Sequence, residues 1–144
     1  MTPDDGLKLL AQLQVDEGFR GYAYQDSLGY YTIGYGRLID RRKGGMISKD
    51  EALYLLQNDI GAKGKELLAY SWFNVQDSVR QAALTNMAFN LGTPGLLHFP
   101  TFLHFMLLKD YPSAVQQLVN TPWHGQVGVR ADRIIKLIEI GAWT

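Results

Sequence analysis

The chain of 144 residues carries 14 basic and 14 acidic side chains, no cysteine and 47% hydrophobic residues. A length near the usual domain size and an ample apolar fraction predict one domain with a core of its own. The charge balance supplies no field toward nucleic acid or an anionic membrane, and the lack of cysteine removes disulfides, thiolate nucleophiles and cysteine metal sites.

Thr2-Pro3-Asp4-Asp5 opens the first predicted helix, with Thr2 as N-cap, Pro3 in the first turn and Asp5 able to answer the cap. The same acidic start does not resemble a secretory signal. No apolar run approaches the roughly 20 residues needed to span a bilayer, so no stable membrane insertion is expected. Leu7, Leu10 and Leu13 share one face of the helix, which is predicted to end near Gly18, placing Glu17 at its C-terminus. Tyr22-Ala23-Tyr24 and Tyr30-Tyr31-Thr32-Ile33 are β-prone and flank the turn Asp26-Ser27-Leu28-Gly29, which predicts a small antiparallel sheet. The bend at Gly34-Tyr35-Gly36 follows, and then the polar, turn-rich stretch Asp40-Arg41-Arg42-Lys43-Gly44-Gly45.

Ser48-Lys49-Asp50-Glu51 is a capping box that launches a long helix with an apolar face through Ala52, Leu56, Ile60 and Leu67, weakened or bent at Gly61 and Gly64. Beyond Trp72 the chain reads as helical. Its punctuation is Asn74, Gly92-Thr93-Pro94-Gly95, Pro100, Pro112, Pro122 and Gly125. Apolar faces fall at Val79, Ala82, Ala83 and Met87; at Phe102, Phe105 and Met106; at Val115, Leu118 and Val119; and at Ile134, Leu137 and Ile138. The predicted class is α+β. A sheet-bearing lobe of residues ~14 to ~60 is expected beside a helical lobe of ~1 to ~13 and ~61 to ~144, with a cleft between them as the natural ligand site.

Two carboxylates, one at the helix end and one in the sheet turn, stand in different settings. Glu17 at a helix C-terminus meets the negative end of the dipole, which favours the protonated form that a general acid needs. Asp26, in a tight turn with backbone N–H groups nearby, suits a carboxylate that stays ionised. This division of labour is that of glycosidic bond cleavage. His98, His104 and His124 lack the spacing that sets two ligands on one helix face, so no metal or other cofactor is expected.

The run from Glu17-Gly18-Phe19-Arg20 through Asp26 to Thr32-Ile33-Gly34-Tyr35-Gly36 resembles the catalytic region of the phage-type lysozymes of T-even phages. The likeness continues through Ile47-Ser48-Lys49-Asp50-Glu51-Ala52, Val79-Arg80-Gln81-Ala82-Ala83, Met87-Ala88-Phe89-Asn90-Leu91-Gly92, Trp123 and Arg130-Ala131-Asp132-Arg133, and covers roughly Leu7 to Trp143. It implies a lysozyme-like fold with a long interlobe helix. It also implies a peptidoglycan hydrolase that cuts the β-1,4 bond between N-acetylmuramic acid and N-acetylglucosamine by an inverting course, with Glu17, Asp26 and Thr32 catalytic.

Position by position, Leu38 and Phe89 match the family's cleft-lining leucine and phenylalanine. Phe102 and Gln117 stand where it has a substrate-contacting serine and asparagine. Arg130 matches the arginine that supports the catalytic glutamate, and Arg37 replaces a histidine. The expected partner is peptidoglycan, met by a monomer made in the cytoplasm without a signal peptide and delivered by a separate membrane-permeabilising factor. A lytic transglycosylase, which needs only the glutamate, and a non-catalytic glycan-binding module are the competing functions.

Overall fold

The computed structural model describes residues 2–41 and 43–143, with Asp5 described in its backbone alone. The chain divides into two compact units, residues 1–54 and 55–144.

The first unit opens with helix α1, Pro3–Glu17. The Gly6 N–H reaches the Thr2 carbonyl at 3.0 Å, as an N-cap at Thr2 requires, while the capping role expected of the Asp5 side chain lies outside the described residues. Gly18 ends the helix with φ of +66°, a conformation that glycine adopts without a Cβ penalty. Leu7, Leu10 and Leu13 are exposed. Strands β1 (Arg20–Gln25), β2 (Tyr31–Gly34) and β3 (Arg37–Leu38) form an antiparallel sheet in sequence order. Tyr24 faces Thr32 across the first pair and Thr32 faces Leu38 across the second, which makes Thr32 the centre of the sheet. Its neighbours bury it to 6% exposure.

Helix α2, Lys49–Leu67, begins in the first unit and continues into the second. Its capping box is complete: the Ser48 N–H donates to Glu51 Oε2 at 2.9 Å and the Glu51 N–H donates to Ser48 Oγ at 3.2 Å. Of the apolar face expected along it, Leu67 is fully buried while Leu56 and Ile60 stay exposed. The expected lobe limits differ from the observed units, since α1 groups with the sheet and the division falls inside α2.

The second unit continues with α3 (Ser71–Asn74), α4 (Ser78–Leu96), α5 (Pro100–Leu107), α6 (Tyr111–Val119), α7 (Pro122–Val127) and α8 (Val129–Ile140). Proline opens α5 and α7 and stands second in α6, where its missing N–H costs no helical bond. Gly125 lies within α7 and breaks nothing, whereas Gly92 kinks α4 with φ of 73° and ψ of 156°. The core gathers Leu67, Phe73, Leu84, Met87, Phe102, Met106, Leu118, Ile134 and Ile138.

The polar groups admitted to this core are satisfied, as burial demands. Gln76 donates to the carbonyls of Trp72 and Met106, each at 2.7 Å, and accepts from the Tyr111 hydroxyl at 3.1 Å. Arg80 spans α4 and α8, donating from Nε to the Ile138 carbonyl at 2.7 Å and from Nη2 to the Glu139 carbonyl at 3.2 Å. Its guanidinium also lies 3.6 Å from the centre of the Tyr111 ring.

Candidate active site

The turn between β1 and β2 is built around Asp26. Its Oδ1 accepts from the N–H groups of Leu28 and Tyr30, both at 2.9 Å. The Gly29 N–H donates to the Asp26 carbonyl at 3.0 Å, and the Asp26 N–H donates to the Tyr30 carbonyl at 2.9 Å. Two backbone donors on one oxygen fix the carboxylate in place. Oδ2 takes no donor among the described residues. Thr32, on β2, donates its hydroxyl to the Tyr30 carbonyl at 3.4 Å, which leaves the hydroxyl oxygen able to accept.

Glu17 is the last residue of α1 and is exposed. Its carboxyl group lies against Gly36, where a methyl group would come within 2.9 Å of the carboxyl carbon. Gly36 also lines a pocket of about 420 Å³ with Asp26, Tyr30, Thr32, Leu38 and Arg41. Four expected site residues, Glu17, Asp26, Thr32 and Leu38, are thus gathered around one glycine within the first unit. Gly36 is the residue that the motif contained without declaring its use. Only its place in the Gly-x-Gly run after Thr32 could have signalled it.

Arg37, which replaces the family's histidine, ion-pairs with Glu51. That carboxylate also answers the Ser48 cap, so the pair ties the start of β3 to the start of α2.

The remaining expected residues lie in the second unit. Phe89 and Arg130 line an apolar pocket of about 420 Å³ with Asn86 and Trp143. Arg130 gives Nε to Asn86 Oδ1 at 2.9 Å and Nη2 to the Asn86 carbonyl at 3.1 Å. Gln117 is exposed on α6. Phe102 is placed otherwise than expected: at 1% exposure it belongs to the core and offers a glycan no surface. An aromatic ring exchanged for a small polar side chain gains more from burial than from exposure.

The Phage lysozyme family pattern matches residues 14–135. The chain belongs to the phage lysozyme family. Its sequence is 30% identical to probable T4-type lysozyme 1 of Dictyostelium discoideum, across 90% of this chain and 92% of that one, and 29% identical to probable T4-type lysozyme 2 of the same organism across the same shares. It is also 30% identical to the pre-baseplate central spike protein Gp5 of Enterobacteria phage T4, across 94% of this chain but 28% of that protein. The chain is accordingly a glycoside hydrolase with an α+β fold, of a family that acts on peptidoglycan. Among the described residues no helix is long and apolar enough to cross a membrane.

Proposed function

We propose that the chain works as one lysozyme domain that cleaves the β-1,4 bond between N-acetylmuramic acid and N-acetylglucosamine with inversion, and so lyses bacterial walls. The observation that carries this reading is the convergence of Glu17, Asp26 and Thr32 on Gly36 and its pocket.

In this reading Glu17 donates a proton to the leaving glycosidic oxygen. Asp26, held by the Leu28 and Tyr30 N–H groups, uses its second oxygen to take a proton from water. The Thr32 hydroxyl oxygen accepts a hydrogen bond from that water and helps to hold it in line. The water attacks the anomeric carbon from the face opposite the leaving group. Such a course needs the two carboxyl groups roughly 6.5–9.5 Å apart, so that a water fits beside the sugar. Leu38 in the first unit, and Phe89 and Gln117 in the second, are assigned to contacts with the glycan; Phe102 is not.

Turbidity loss on purified cell walls tests the reading, with wild type active and Glu17→Gln inactive but folded. Retained lysis in that variant would remove Glu17 from the acid's role. Proton NMR of fresh product is expected to show the α-anomer, and initial β-anomer would refute inversion. Mass spectrometry separates hydrolysis from transglycosylation, because anhydro products are lighter by one water.

A further inference from the structure

The pocket that holds Asp26 and Thr32 contains a cation that the proposed cleavage does not use. Arg41 lines it, together with Tyr30, Gly36 and Leu38. Its neighbours in sequence are engaged elsewhere: Arg37 pairs with Glu51, and the Lys43 ammonium lies 4.9 Å from the centre of the Tyr30 ring. Arg41 has no carboxylate partner among the described residues and is exposed.

An unpaired guanidinium is a fork shaped for a carboxylate. The sugars of peptidoglycan are otherwise neutral, and their one ionisable position is the lactyl arm of muramic acid or the peptide attached to it. Asp26 in the same pocket repels any such anion, and a cation on the pocket wall offsets that repulsion. The pocket volume of about 420 Å³ lies within the range of small-ligand sites.

We propose that Arg41 is a specificity-determining residue that binds a carboxylate on the muramic acid side of the substrate. This rests on the peptidoglycan reading above. It also gives a chain with 14 basic and 14 acidic residues a local means of holding an anionic polymer.

The test is a calorimetric titration of the full chain carrying Glu17→Gln, so that the ligand stays intact. Three tetrasaccharides of alternating N-acetylglucosamine and N-acetylmuramic acid serve as probes: one with free lactyl carboxylates, one with these converted to primary amides, and one with them coupled to L-alanyl-D-glutamate. At least one anionic form is expected to bind about tenfold tighter than the neutral amide. Arg41→Gln on the same background is expected to abolish that preference and Arg41→Lys to keep part of it, with circular dichroism confirming both folds. The anionic form that shows the preference identifies the carboxylate as lactyl or peptide.

Equal binding of all three probes overturns the proposal, as does a preference that survives Arg41→Gln. Absence of binding by any probe also overturns it. Wall lysis by the wild type then decides separately whether the lysozyme reading stands.

Discussion

A methyl group on Gly36 would meet the Glu17 carboxyl group, and the glycine's φ of +67° already disfavours any L side chain. Gly36→Ala is therefore expected to displace the acid and lower wall-lysis rates by about a hundredfold. Urea denaturation is expected to register a loss of only about 1 kcal/mol from the strained backbone. Phe102→Ala is expected to act in the opposite way. It leaves a hole in the core worth about 3–5 kcal/mol in a urea melt, without the rise in KM that a glycan contact would give. The difference between these residues also explains what could be read in advance. Glu17, Asp26 and Thr32 lie close together in sequence and carry their pattern locally. Phe102 stood at an informative position, but its burial depends on the packing of α5 against α3 and α6, which no local pattern encodes. Arg41 sits in a polar stretch that reads as solvated, and only the fold of the sheet brings it to the pocket of Asp26.

Helix boundaries were legible wherever one residue dictates them. The Ser48 and Glu51 box, the prolines at positions 100, 112 and 122, and Gly18 all act through chemistry within a few residues. Strand β3 has two residues and exists only by pairing with β2, so nothing in its own composition marks it. Asp77 was also silent in the sequence reading, yet it caps α4 by accepting from the Arg80 N–H at 2.9 Å. Partial burial pushes the Asp77 carboxyl up, but the backbone and side-chain hydrogen bonds from Arg80, and the charge of Arg80, outweigh this and hold it below its ordinary value of 3.8. The stabilisation is complete above that value and is lost as pH falls toward the depressed folded value. Asp77→Ala is expected to cost about 1 kcal/mol at neutral pH. The gap between its urea midpoint and that of the wild type is expected to close as pH is lowered below 3.8.

For the whole molecule, balanced charge predicts a weak response to salt, because long-range steering needs a net field. Initial lysis rates on purified walls are expected to change by less than about threefold between 20 and 200 mM sodium chloride, roughly a threefold span in Debye length. A steep fall would reveal a concentrated basic surface. The class of fold was legible because a short β-prone segment between long helical patterns admits few architectures. The arrangement of the helical core was less so, since it depends on partners distant in sequence. Arg80 is the extreme case, joined to carbonyls 58 and 59 residues further along. During synthesis its guanidinium must remain hydrated until Ile138 has left the ribosome, and the face of α4 that packs on α8 is uncovered for the same interval. A nascent chain stalled anywhere in that stretch therefore displays an apolar surface to chaperones and proteases, and arrival of α8 ends that exposure.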